Sequence, residues 1–200
     1  MKGNLYTIVY AAILGSLCAL VLTAAARLTA DYREANKQAE KILNILTASK
    51  VPMEDNLSAA QLVEIFKTNV REETRGDISI YVYSPAQAQG QAVAFVVPFA
   101  GSGVWGPIKG FLALEPDMKT IRGLSFYEQE ETPGLGGEIA SERFCKQFEG
   151  KSVVADDGSI GVVIKAGVGK DGRNKIDAIT GATMTCDKVQ MMLNKVIEKL

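Results

Sequence analysis

The chain has 200 residues, with 22 Lys and Arg against 23 Asp and Glu and a net charge of −1. So even a balance lacks the basic stripe that nucleic-acid binding requires, and the length beyond an apolar N-terminus suits one domain whose core needs no disulfides. Histidine is absent, which excludes His-based acid–base chemistry, Ser-His and Cys-His nucleophiles, haem ligation by His and the common zinc sites.

Residues 5–26 (LYTIVYAAILGSLCALVLTAAA) contain no charge. A helix of roughly 20 such residues spans a bilayer core, and Tyr6 and Tyr10 suit its interfacial belt. Residues 1–27 are therefore predicted to be a transmembrane anchor. The rival is a signal peptide cleaved after Ala24-Ala25-Ala26, but the apolar run exceeds the usual h-region of about 7–15 residues. Leu17 before Cys18 argues against a lipoprotein site. By the positive-inside rule, Arg27, Arg33, Lys37 and Lys41 against Lys2 place the C-terminal part on the cytoplasmic side.

Residues 28–76 read as a helical connecting segment. Ala35, Ala39, Ile42, Leu43 and Leu46 fall at helical spacing, so a helix over 28–48 is expected, closed by Pro52. Ser58 and Gln61 form a capping-box pattern opening a short helix with Leu62, Ile65 and Phe66. A charged loop is expected over 71–77. From 77 to 200 the pattern changes. Runs 78–84, 92–98, 108–115 and 120–128 are rich in β-branched and aromatic residues and read as strands, the last two joined by a turn at Pro116-Asp117. A helix over 138–149, strands over 151–155 and 159–167, and a helix over 185–200 follow. The last presents Val189, Met192, Leu193, Val196, Ile197 and Leu200 on one face. The fold class is α+β: one N-terminal transmembrane helix, then a mixed α/β domain. None of the three cysteines forms a C-x-x-C pair, which argues against an iron–sulfur cluster. Cys145 and Cys186 pair only if the fold brings them together.

Three motifs carry chemistry. Asp177–Thr185 (DAITGATMT) precedes the C-terminal helix, whose first N–H groups lack intrahelical partners and, with the helix dipole, suit a phosphate. Gly181 and Ala182 permit close approach of a ligand, and three threonine hydroxyls surround the point. A helix cap and turn is the plainer reading of the same residues. Glu131–Glu138 (ETPGLGGE) is not the dinucleotide fingerprint. Its glycines suit an anion nest or a turn with positive φ, and Leu135 at the tip suits covering a ring. Gly101–Pro107 holds the only Trp, Trp105, which either stacks on a planar ligand or plugs the core. Lys109 and Lys165 offer positive charge, or are solvated strand lysines.

Taken in order, G-x-W-G-P (103–107), G-x-x-x-L-x-x-D (110–117), E-T-P-G-L-G (131–136) and D-x-x-T-G-A-T (177–183) resemble the FMN-binding domain of bacterial membrane redox complexes. The family is that of the C subunit of the sodium-pumping NADH:quinone oxidoreductase, with the G subunit of the Rnf ferredoxin:NAD oxidoreductase as the near alternative. Residues 110–139 are more similar to the former, while the chain length is nearer the latter. The resemblance implies an FMN joined through its phosphate to Thr183, and not to Thr185 two residues later, installed by a dedicated flavin transferase. It places Thr180, Gly181, Ala182 and Thr185 around the phosphate, and Glu131, Thr132, Leu135 and Gly136 along the isoalloxazine, with Trp105 and Lys165 nearby. It further implies an electron-carrying subunit of a sodium-transporting NADH:quinone reductase, with the other subunits and the membrane as partners. The family's FMN domain lies on the outer, periplasmic face of the bacterial inner membrane, and that placement outweighs the modest charge count. A membrane-anchored binding module without flavin and a stand-alone flavoprotein reductase are the competing classes.

Overall fold

The computed structural model describes residues 2–54, 57–76, 78–169 and 172–200. The chain divides into two compact units, Met1–Ala39 and Glu40–Leu200.

The first unit is helical. Helix α1 (Lys2–Leu28) has mean hydropathy 2.3 over its most apolar stretch and buries none of it within the protein. A helix apolar on every side has no preferred protein-facing stripe, as expected for one long enough to cross a membrane. Helix α2 (Ala30–Ala48) follows after a break at Thr29, whose hydroxyl donates to the Ala25 carbonyl at 2.9 Å.

The second unit begins within α2, at Glu40. Ile45, Leu46 and Ala48 are buried there. The helix stops where Lys50 turns left-handed (φ 55°), before Pro52 can clash with it. Helix α3 (Ala59–Asn69) opens with the expected capping box: Ser58 Oγ accepts the Gln61 N–H, and Gln61 Oε1 accepts the Ser58 N–H at 2.9 Å.

Five antiparallel strands form a meander in chain order: β1 (Val70–Arg75), β2 (Ile78–Tyr83), β3 (Ala94–Ser102), β4 (Pro107–Leu114) and β5 (Ile121–Glu128). Alternation along β4 sorts its side chains to two faces. Ile108, Leu112 and Leu114 join one core, with Phe99, Ile139, Phe144, Phe148 and the C-terminal helix. Phe111 and Ala113 join the other, with the end of α2, α3, Tyr81 and Tyr83. Both faces are covered, so the strands read as near-continuous apolar runs.

Helix α4 (Glu142–Lys146), paired strands β6 (Val163–Lys165) and β7 (Lys175–Asp177), and helix α5 (Thr183–Ile197) complete the unit. β6 and β7 run parallel.

Five local expectations change. The charged loop over 71–77 is strand β1 as far as Arg75. It is an edge strand with five of its six residues exposed, so charges line it and no alternation shows; Asp77 lies outside the described residues. The helix over 138–149 is a 3-10 turn (Gly136–Ala140) and then α4, because Ser141 is extended and its hydroxyl caps Phe144 instead of continuing the turn. Residues 151–155 make only isolated bridges, Thr120 with Ser152 and Val154 with Ile160. The strand expected over 159–167 shortens to β6, because Asp157 Oδ1 accepts the Ser159 N–H in a turn and Gly161 sits at φ 125°. Helix α5 starts at Thr183, two residues before the expected 185, with Ala182 between it and Gly181 at φ 78°.

Candidate functional site

The hairpin joining β3 to β4 closes with Gly103 N–H donating to the Gly106 carbonyl at 2.7 Å. This lifts Trp105 to the tip, 73% exposed rather than in the core. The next segment starts at Glu131, whose own N–H donates to Gln129 Oε1 at 2.8 Å. Its side chain points inward and is 5% exposed. Glu131 Oε1 accepts the N–H groups of Val104 (2.8 Å) and Trp105 (3.1 Å), and Oε2 accepts the Thr185 hydroxyl at 2.6 Å.

Burial alone would raise the Glu131 carboxyl. The Thr185 hydroxyl, the Trp105 and Val104 N–H groups and the Lys188 charge together hold it below its ordinary value. A carboxylate with this many donors stays ionised.

The loop that follows is folded on itself. Leu135 and Gly137 both donate their N–H groups to the Thr132 carbonyl, at 3.1 and 2.9 Å. Those donors are spent, so the glycine run is not the row of free N–H groups an anion nest needs. What the glycines supply is room and conformation. Gly134 has φ 75°. A Cβ on Gly136 would stand 2.6 Å from Thr185 Oγ1 and 2.8 Å from Glu131 Oε2, so only glycine lets this loop reach α5.

At the N-terminus of α5, Ala182 is the cap residue and has no side-chain oxygen to offer. The N–H groups of Thr183, Met184 and Thr185 thus have no partner from the helix and none from the cap. Thr183 is exposed, whereas Thr185 is buried and hydrogen-bonded. The motif resemblance points to Thr183 and not to Thr185, and the fold gives the two opposite environments.

These three segments enclose one open cavity of about 270 Å³. Val104 and Trp105 line it from the hairpin, Glu131, Thr132, Leu135 and Gly136 from the loop, and Gly181 to Thr185 from the start of α5. Trp105, Leu135 and Met184 are exposed apolar side chains on its walls. Thr180 instead lines a second cavity of about 340 Å³, with Glu138, Arg143 and Gln147 among its walls. Lys165, on β6, is exposed and does not line the first cavity. Lys109 is committed to Glu128 at 2.8 Å. Val104, Met184 and Lys188 were not singled out in the sequence. Met184 lies between two marked threonines, and that position was its only signal.

The chemistry of this wall fits FMN: free N–H donors and a helix dipole for a phosphate, a hydroxyl at the same point, and exposed Trp105, Leu135 and Met184 for a flat ring. Cys145 and Cys186 are free. Burial pushes the Cys145 thiol up to about 12 and also raises Cys186, whose Sγ accepts the Ile179 N–H.

Residues 103–198 match the FMN-binding domain family. The chain is 31% identical over 163 residues to the C subunit of the Na(+)-translocating NADH-quinone reductase of Pasteurella multocida, an alignment covering 78% of this chain and 63% of that protein. It is 28% identical to the same-named protein of Haemophilus ducreyi, covering 92% and 85%. Among solved structures, the corresponding C subunit from Parabacteroides distasonis superposes with a TM-score of 0.69 at 26% identity, over 84% of this chain and 92% of that one. Shewanella oneidensis NqrC superposes with a TM-score of 0.70 at 24% identity, over 82% and 93%, a likeness of fold. The family resemblance carried by the four motifs is borne out by these relatives.

Proposed function

We propose that this chain, whose residues 103–198 match the FMN-binding domain family, carries FMN as a phosphoester on Thr183 and relays electrons within a membrane sodium-translocating NADH:quinone reductase complex. The names of its relatives support the complex. The observation that carries the site is the exposed Thr183 hydroxyl at the uncapped start of α5, in a cavity shared with Trp105 and Leu135.

FMN, when bound, supplies the electron-carrying chemistry. The chain's residues bind and orient. The N–H groups of Thr183, Met184 and Thr185, aided by the α5 dipole, are the donors for a phosphate. Thr183 Oγ1 is the atom that would take the FMN phosphoryl group from a flavin dinucleotide used by the transferase: the Oγ1–P bond forms as the donor's P–O–P bond breaks, a nucleoside monophosphate leaves and the hydroxyl proton passes to solvent. Trp105, Leu135 and Met184 would offer apolar surface to the ring, and the cavity they line is open to solvent. Gly181, at φ 78° and with Leu135 Cδ2 3.0 Å from a built Cβ, keeps backbone and loop close at the attachment point.

In this reading residues 1–27 anchor the chain, 28–76 connect, and 77–200 hold the flavin on the outer face of the membrane. Helix α1 supports the anchor by length and apolarity. Ion transport belongs to the assembled complex and its other subunits.

The test is flavin fluorescence after denaturing electrophoresis, with parent and Thr183→Ala each co-expressed with a flavin transferase. A band in the parent that vanishes in the variant supports the reading. A dark parent under conditions that flavinylate a control protein removes it.

A further inference from the structure

Glu131 was expected along the isoalloxazine, yet both its oxygens are occupied by protein donors. Oε1 takes two N–H groups of the Trp105 hairpin, and Oε2 takes the Thr185 hydroxyl. Both side chains are nearly sealed from solvent, at 5% and 4% exposure. Two glycines fit around the pair. A Cβ on Gly103 would collide with Oε1, and one on Gly136 would stand 2.6 Å from Thr185 Oγ1. Three segments far apart in sequence thus meet on one carboxylate, directly beneath the cavity that holds Thr183.

We infer that Glu131 and Thr185 are positioning residues: together they lock the first turn of α5 to the Trp105 hairpin, so that the Thr183 hydroxyl and the Trp105 ring face the same cavity in fixed geometry. This inference rests on the functional reading above. Thr185 lies one residue beyond Met184 in the first turn, and its bond to Oε2 fixes that turn's rotation. The same bond holds the carboxylate so that Oε1 meets the hairpin N–H groups. Charge-assisted hydrogen bonds of this kind are short and directional. Thr185 is therefore unsuited to attachment because it orients the neighbour that is attached.

The test uses the full chain in detergent and a series in which conservative changes keep the bonds. Thr185→Ser retains a donor; Thr185→Val and Thr185→Ala do not. Glu131→Gln keeps an acceptor for the hairpin and can donate its amide to the Thr185 oxygen; Glu131→Ala keeps nothing. Trp105 is the only tryptophan, so its fluorescence anisotropy reports the hairpin without any flavin.

The expected result is lowered anisotropy in Thr185→Val, Thr185→Ala and Glu131→Ala, with values near the parent in Thr185→Ser and Glu131→Gln. In parallel, the rate of flavin attachment to Thr183 falls roughly 10-fold or more in the first group and recovers in the second, since small misplacements of reacting groups carry large rate costs. Parent anisotropy and parent attachment rates throughout would overturn the inference. So would an equal loss in Thr185→Ser and Thr185→Val, which would mark a packing role alone. A parent that accepts no flavin defeats the functional reading, and the anisotropy series then still decides the clamp by itself. Thr185→Ala adds no methyl to the buried site, so a folding failure of the valine variant leaves the comparison intact.

Discussion

The two faces of the β1–β5 sheet are built differently. On one, the end of α2 and helix α3 press against Tyr81, Tyr83, Phe111 and Ala113. Phe111 is fully buried, edge-on to Tyr81 and stacked on Tyr127. On the other, α5 packs just as tightly through Cys186, Val189 and Leu193. Its first turn, however, rises beyond the core and meets two glycine-bearing loops on a buried carboxylate. The first face offers side chains that exclude water and restrict one another. The second offers unpaired N–H groups, an exposed hydroxyl and exposed apolar side chains. Both faces bury a core, but the candidate site rises from only one of them, and that asymmetry can be broken on purpose.

The largest effect is expected from Thr183→Ala: complete loss of covalent flavin with folding stability within about 0.5 kcal/mol of the parent, because the side chain is exposed. Flavin fluorescence in a denaturing gel and a melting curve read the two halves of that statement. Phe111→Ala on the opposite face should do the reverse. It costs about 3–5 kcal/mol, as opening a cavity of this kind does, and leaves flavin attachment per folded molecule unchanged. Urea titration beside flavin quantitation checks it.

Gly136→Ala crosses the divide. The added methyl strikes Thr185 and Glu131, so destabilisation of about 1–3 kcal/mol from overpacking should accompany slower flavin attachment. Ser58→Ala removes the α3 cap on the first face and should cost about 1 kcal/mol, with no change at the site.

Acid should loosen the second face through Glu131. Its folded carboxyl titrates below its ordinary 4.5. The stabilisation it provides is therefore present above that ordinary value and is lost as pH falls through the lower folded value. Trp105 anisotropy should be flat from neutral pH down to about 4.5 and then decline. In Glu131→Gln that decline should be absent.

Much of this was legible in the sequence wherever one interaction dominates locally. The capping box at Ser58 and Gln61, the strands expected over 78–84 and 120–128 and found at 78–83 and 121–128, and the apolar face of α5 all follow from period and turn chemistry. Strand β1 was not, because an edge strand of Arg and Glu shows no apolar alternation, and its pairing comes wholly from β2. The split at Ser141 was hidden because a single serine can either ride a helix or cap one. For the site, Gly181 to Thr185, Glu131 to Gly136 and Trp105 could each be marked as motifs, and the fold brings them to one cavity. It does not bring Thr180 or Lys165 there. The motif resemblance named Thr183, but what Glu131 and Thr185 touch is a matter of three-dimensional register between residues 54 positions apart, which no local pattern encodes.

The most direct test of the central claim is to locate the flavin. The full chain, co-expressed with a flavin transferase, is digested with trypsin, and the peptide spanning 176–188, which contains Thr180, Thr183 and Thr185, is fragmented in a mass spectrometer. The expected result is one FMN phosphoester carried by Thr183, with Thr180 and Thr185 unmodified. An FMN on Thr180 or Thr185, or a peptide that carries none while the transferase modifies a control protein, would contradict it.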